Sequence, residues 1–151
     1  MSLYVLLKYL HVVLAIIAIG FNASYGIWLT RVRREPEHAL HVLRGIKVLD
    51  DRFANPAYGL LLVTGVILVL LSGIPFSTFW IALAIGLYVV LLVVAAALYS
   101  PTLKKQIAVL QSAGVGSDEY ARLSRRGTFL GILLAVIVLV IEFVMVVKPT
   151  L

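Results

Sequence analysis

The chain has 151 residues, of which 62% are hydrophobic and 13% are charged. A soluble domain is typically about 45–50% apolar and about 25% charged, so this composition excludes an ordinary water-soluble protein and indicates one compact integral membrane unit. The absence of cysteine excludes disulfides and thiolate metal sites. The formal net charge of +6 would suit a nucleic-acid-binding protein, but the placement of the basic residues indicates membrane topology instead.

Uncharged apolar stretches predict four transmembrane helices, because a spanning helix needs about 20 mostly apolar residues. The stretch that follows Arg52 is long enough for two spans, and Gly73 and Pro75 predict a turn between them. The four predicted spans are residues 3–29, 55–71, 78–99 and 128–147.

The basic residues are concentrated in two loops. Segments 31–52 and 104–126 hold 11 of the 13 lysine and arginine residues. Cytoplasmic loops carry an excess of Lys and Arg, so both segments are predicted to be cytoplasmic and both termini to lie outside. The loops would then meet anionic lipids of the inner leaflet of a bacterial plasma membrane, with no need for nucleic acid as a partner. We therefore predict an all-α, four-helix transmembrane bundle.

Both cytoplasmic loops carry helical signals. Ser117 or Asp118 is predicted to cap the helix that leads into the fourth span. His38 and His41 lie three residues apart in the first loop, but two histidines without a third ligand make a weak metal site, and we interpret them as solvated or lipid-facing. Apolar residues at helical spacing predict a short amphipathic helix at the inner membrane surface: Leu40, Leu43, Ile46, Leu49 and Phe53.

Three ionisable residues fall inside the predicted spans, namely Lys8, His11 and Glu142. Such a group costs about 2.5–3.5 kcal/mol in hydrocarbon on insertion scales and is a functional candidate. All three are predicted to lie in the outer half of the membrane, with His11 roughly 12 Å deep at the rise of an α-helix. No catalytic set can be assembled at one depth, so any chemistry would depend on a bound cofactor.

Helical spacing places these polar residues on two faces that are predicted to point into the bundle. One interpretation is a buried polar cluster of Lys8, His11, Asn22 and Glu142, in which Glu142 pairs with Lys8. Alternatively, Lys8 extends to the outer surface and His11 binds a ligand. The first face consists of Lys8, His11, Ala15, Ala18, Asn22 and Tyr25, and the second of Gly131, Ala135, Val138 and Glu142.

Three short stretches resemble known membrane families. "LKYLHVVLAIIAIG" (residues 7–20), with its Lys-x-x-His pattern, is similar to the first span of the HemJ-type protoporphyrinogen oxidases. "DRFANPAYGLLLVTGVIL" (51–68) and "VIVLVIEFVMVVKPTL" (136–151) resemble the second span and the C-terminal ending of that group. The same four-span layout recurs in CopD-like membrane domains. It also recurs in an uncharacterised family of predicted bacterial integral membrane proteins, which the chain resembles best.

The HemJ-type resemblance implies that His11 binds haem b as an axial ligand of the iron, with Lys8 placed to meet a haem propionate. The third span lacks the functionally important lysine of that group, and "RRGTFLGIL" (125–133) replaces its Asn-Glu-x-Pro stretch. These differences argue against protoporphyrinogen oxidation. With no second ligand in the chain, haem would be five-coordinate or bridged by two copies of His11 in a dimer.

The sequence leaves three functions open. The first is a redox-associated protein that binds haem b through His11. The second is a non-enzymatic structural or accessory subunit of a homo-oligomer or larger membrane complex, stabilised by the buried polar cluster. The third is a transport element for protons or metal ions, although one histidine and one glutamate do not make a relay across a membrane. Whether the protein is an enzyme stays open.

Overall fold

The structure, a computed structural model, describes residues 2–150, and within that range it contains helices and no strands. A 3₁₀ turn, Pro36–His38, leads into α2, and two π-helical turns, Asp50–Ala54 and Val94–Tyr99, join α2 to α3 and α4 to α5. The α-helices in chain order are α1 (Leu3–Arg34), α2 (Ala39–Leu49), α3 (Asn55–Ser72), α4 (Phe79–Val93), α5 (Ser100–Ala113) and α6 (Asp118–Val147).

These elements form four continuous helical rods that are long and apolar enough to cross a membrane, as predicted. The rods are Leu3–Arg34, Pro36–Ser72, Phe79–Ala113 and Asp118–Val147. The rods continue past the predicted spans, because a helix satisfies its own backbone hydrogen bonds in water as well as in lipid. The predicted loop between the third and fourth spans is therefore largely helix, interrupted only at residues 114–117.

Local residues set several of the helix ends. The Ser2 hydroxyl accepts a hydrogen bond from the Val5 amide at 3.4 Å, and the Ser117 hydroxyl accepts one from the Tyr120 amide at 3.2 Å. Ser117 is thus the N-cap of α6, one of the two residues predicted for that role. Gly73 ends α3 in the left-handed conformation with φ of 69°, which only glycine adopts at no steric cost.

Each π turn ends just before a proline, Pro56 in one case and Pro101 in the other. Proline donates no backbone hydrogen bond, and its ring clashes with the carbonyl four residues earlier. The wider turn accommodates the ring, and the amides of Asn55 and Ser100 bond to carbonyls five residues earlier. The rods therefore pass through both prolines without ending.

The bundle consists of two antiparallel pairs, α1 with α3 and α4 with α6, which α1 and α6 bring together. Among residues 2–150, α3 and α4 make no close backbone approach, and they meet through Tyr58 and Tyr88. The ammonium of Lys148 lies 5.4 Å from the centre of the Trp80 ring, so the end of α6 and the start of α4 are at the same end of the bundle. The basic segments occupy the opposite end.

Helix α2 confirms the predicted amphipathic helix, but its apolar face packs against protein. Leu43 and Ile46 are 0% and 1% exposed and belong to the main core with α5 and α6. Phe53 is half exposed. The helix therefore completes the core at the end of the bundle that holds the basic segments, instead of resting its apolar face on the lipid surface.

Candidate functional site

His11 lies on α1 with its ring directed at α3. Its Nδ1 is 2.8 Å from the hydroxyl oxygen of Thr64. That hydroxyl donates its only hydrogen to the carbonyl of Leu60, one turn back on α3, at 2.7 Å. With this hydroxyl donating to Leu60, Thr64 accepts from His11, an arrangement that places the imidazole proton on Nδ1 and not on Nε2.

Gly65 makes room for this ring. A Cβ atom at position 65 would lie 3.2 Å from Cε1 of His11, closer than an ordinary carbon contact. The ring is only partly buried, and Nε2 of His11 is not among the fully buried, unbonded atoms of residues 2–150. The ring therefore lies at the margin of the α1–α3 contact, between buried and exposed positions.

Lys8 and Glu142 do not form the pair that the first interpretation required. Lys8 is exposed and Glu142 is partly buried. The exposed position of Lys8 leaves the alternative, in which it extends to the outer surface, as a prediction. The ion pairs within residues 2–150 link Arg31 to Glu35, Lys47 to Asp51 and Lys105 to Glu119.

The inward face of α6 also differs from the prediction. Ala135 is exposed, and the buried stripe runs through Leu130, Leu134 and Val138. Val138 alone of the predicted face is fully buried, while Gly131 and Glu142 lie at its margin. The position of this buried stripe is set by the helices that pack against α6, namely α4 and α5. The spacing of residues within α6 does not reveal which helices these are.

Asn22 makes a second contact between α1 and α3, deeper in the bundle. Its side-chain amide donates to the carbonyl of Ala18 at 2.9 Å and to the hydroxyl of Tyr58 at 2.5 Å. Tyr88 on α4 donates to the carbonyl of Tyr58, also at 2.5 Å. The predicted cluster is thus distributed over two sites, since Asn22 and His11 bond to different partners on α3.

An apolar layer separates the two sites. It consists of the packed side chains of Leu14, Ala18, Ala57 and Leu61. A hydrogen-bonded chain between the His11–Thr64 pair and the Asn22–Tyr58 pair would have to cross this layer. The arrangement supports two helix contacts better than one continuous proton path.

Asp50 is a buried carboxylate that the sequence analysis did not single out. It is 9% exposed and lies within electrostatic reach of the phenols of Tyr25, Tyr58 and Tyr99. The hydroxyl of Tyr25 is the one fully buried polar side-chain atom in residues 2–150 without a hydrogen-bond partner. The helical spacing of Leu43, Ile46 and Asp50 was a usable signal, because it places Asp50 on the buried face of α2.

The two histidines at the end of the bundle that holds the basic segments are exposed. His38 and His41 both face solvent or lipid, in keeping with the interpretation of them as solvated or lipid-facing. Within residues 2–150, no group of three or more His, Cys, Asp or Glu side chains is placed to hold a metal ion. Of the three histidines, His11 is thus the one engaged inside the bundle.

Comparison with curated proteins and with solved structures gives no match. A family model described as "Predicted integral membrane protein (DUF2269)" matches residues 5–149. The match spans nearly the whole chain, including the four long apolar helices and both sites on the α1–α3 contact. The chain therefore belongs to this family of predicted integral membrane proteins.

Proposed function

We propose that the protein binds haem b in the outer half of the membrane, in a redox-associated role, with Nε2 of His11 as the axial ligand. The hydrogen bond between His11 and Thr64 is the observation that carries this proposal. A histidine that ligates a metal usually donates its other ring N–H to a fixed acceptor, which sets the tautomer and the ring orientation. Thr64, held by the Leu60 carbonyl, is such an acceptor.

The residues present fit a haem better than a bare metal ion. Haem iron already carries four nitrogen ligands and takes only one or two from the protein, whereas an ion would need a cluster that residues 2–150 do not contain. Lys8 is exposed one turn nearer the outer end of α1, where its ammonium can meet a propionate. Bound haem would supply one-electron redox chemistry.

The residues around His11 then have distinct roles. Thr64 would hold the imidazole proton on Nδ1 and leave Nε2 to bind the iron. Gly65 lets the ring approach α3 closely enough for that hydrogen bond. The apolar layer of Leu14, Ala18, Ala57 and Leu61 lies between this site and the polar groups of the inner half, and keeps water of the cytoplasmic side away from it.

The resemblance of residues 7–20 to the first span of HemJ-type proteins supports the same role for His11. One chain would hold the haem through His11 alone, and a homo-oligomer would bring a second copy of His11. The setting we propose is a bacterial plasma membrane with the termini outside, where the basic ends of the rods contact anionic inner-leaflet lipids.

The visible absorption spectrum tests the haem proposal. We expect the protein purified from haem-replete membranes to show a Soret band that His11→Ala abolishes. Thr64→Val should weaken haem affinity by about 10–100-fold, the usual effect of losing the partner of a metal-ligating histidine.

His41→Ala is the matched control, because His41 is exposed at the cytoplasmic end and should keep the full Soret band. Size-exclusion profiles of all variants separate loss of haem from loss of fold. A wild-type protein without a Soret band, or a band unchanged in His11→Ala, contradicts the proposal.

One observation favours the second function, a structural or accessory subunit. The bonds of His11 to Thr64 and of Asn22 to Tyr58 both tie α1 to α3, so both residues can serve to hold two helices in register. This function predicts a colourless wild-type protein in which His11→Ala lowers the melting temperature. The spectrum of the wild-type protein therefore separates the two functions.

A further inference from the structure

A cavity of about 210 Å³ lies at the cytoplasmic end of the bundle, among the end of α1, α5 and the start of α6. It is remote from His11, which lies toward the opposite end of α1. Apolar side chains of Leu29 and Val32 form part of its wall. The polar side chains that line it are Arg33, Gln106, Tyr120, Ser124 and Thr128.

The polar side chains leave hydrogen-bond donors free for a ligand. Gln106 is only 4% exposed, and its amide has no partner among residues 2–150 except the neighbouring Tyr120. The hydroxyl of Ser124 is likewise without a protein partner. Polar side chains at the wall of a cavity can bond to a ligand or to water that enters it.

Arg33 gives the cavity its charge. Its Nη2 lies 3.5 Å from the hydroxyl oxygen of Thr128, so the guanidinium is placed at the cavity wall. Thr128 donates its own hydrogen to the carbonyl of Ser124 at 2.9 Å, so its oxygen is an acceptor for Arg33. The guanidinium keeps other N–H groups for a ligand, in the planar geometry that suits oxyanions.

No carboxylate lines the cavity, and nearby carboxylates are engaged elsewhere. Glu119 pairs with Lys105 at 3.4 Å and Glu35 with Arg31 at 3.8 Å. The cavity therefore favours an anion with several acceptor oxygens, because its lining offers a positive charge and several neutral donors without a competing negative charge.

We propose that this cavity binds a phosphate group, and that the phosphate belongs to the headgroup of an anionic phospholipid of the inner leaflet. Leu29 on α1 and Thr128 on α6 both line the cavity, and they are the residues at which the first predicted span ends and the fourth begins. The cavity thus opens at the depth of the lipid headgroups. Its apolar wall can contact the first carbons of an acyl chain. The proposal rests on the orientation given under the proposed function and is independent of haem.

The test is a titration of the delipidated full-length protein in neutral detergent. Short-chain phosphatidylglycerol is added to one series and inorganic phosphate, at matched ionic strength, to the other, and the melting temperature is followed. We expect a saturable rise with the lipid and none with inorganic phosphate. Arg33→Gln should weaken the apparent affinity for the lipid about tenfold or more, the usual effect of losing a charge-assisted hydrogen bond.

Arg34→Gln is the matched control, because it removes the same charge from the next residue, which is exposed and lines a different surface groove. It should change the affinity by less than about twofold, while Ser124→Ala provides a second, gentler variant at the cavity.

Equal losses of affinity in Arg33→Gln and Arg34→Gln would show unspecific charge attraction and overturn the site. A rise with inorganic phosphate alone would overturn the lipid as its source. The titration has no haem signal, so its failure leaves the haem proposal untouched.

Discussion

Tyr25 is the residue whose environment gives the clearest stability prediction. Its hydroxyl is fully buried and unbonded, so folding removes it from water without compensation. We expect Tyr25→Phe to be neutral or to raise the free energy of unfolding, by up to about 1–3 kcal/mol, since an unsatisfied buried donor is removed. Thermal unfolding in detergent measures the change.

Tyr88→Phe is the control, and we expect it to change the free energy of unfolding in the opposite direction. Its hydroxyl donates to the Tyr58 carbonyl, and losing this bond should lower the free energy of unfolding by about 0.5–1.5 kcal/mol. If Tyr25→Phe destabilised the protein as much as Tyr88→Phe does, the Tyr25 hydroxyl would have a partner, such as a bridging water.

The sequence identified His11 and Asn22 as inward-facing, because both lie on a helical stripe with Ala18. It did not identify Thr64 or Tyr58 as their partners, because a spacing within one helix contains no information on which helix packs against it. The exposure of Lys8 was not predictable for the same reason, because the spacing that groups it with His11 does not say whether a neighbouring helix covers it.

At the scale of helices, the contact of α1 with α3 depends on a glycine. Gly65→Ala would place a Cβ atom 3.2 Å from the His11 ring, and the ring or the helix must move. We expect this variant to be less stable than Gly59→Ala by roughly 1–3 kcal/mol, the usual cost of overpacking. Melting temperatures of the two variants provide the comparison.

Gly59 is a suitable control because it lies on the same helix and a Cβ there meets nothing within 4 Å. Alanine at position 59 should be neutral or stabilise α3 by up to about 1 kcal/mol, since it is the better helix former. Equal stability of the two variants would mean that the His11 ring yields at no cost, and that Gly65 does not position it.

Helix ends were predictable where a side chain or a special backbone conformation sets them, as at Ser117 and Gly73. The continuation of the rods through Pro56 and Pro101 was not predictable from local rules, because proline normally ends a helix. It depends on the π turns, whose extra residue becomes tolerable only when both halves of the rod pack on neighbours.

At the scale of the whole molecule, the distribution of charge predicts the orientation in the membrane. The chain has no cysteine, so single cysteines can be labelled without background. We expect a membrane-impermeant maleimide to label Ser77→Cys in intact cells, and Ser112→Cys only after permeabilisation. Both positions are exposed and lie at opposite ends of the third rod. The reverse pattern would invert the topology and contradict the positive-inside argument.

The four-rod architecture followed from hydropathy alone, because lipid leaves few alternatives to helices. Hydropathy did not predict which rods pack against each other, because all four rods are apolar on most sides. On α1, the small residues correctly predicted the face that packs against another helix, because Ala18 is fully buried against α3. On α6 the same reasoning chose Ala135, which is exposed.

The π turn Val94–Tyr99 acts as one inserted residue in the phase of the third rod. Each residue advances an α-helix by about 100°, and the wider turn takes up that advance locally, so Leu103 and Gln106 keep facing α6. Deleting one residue within the turn should therefore restore a regular helix and leave the buried face of α5 in place. One further residue inserted into the turn would exceed what it has already absorbed, and it should rotate Leu103 and Gln106 away from α6 and turn Lys104 or Lys105 toward the core.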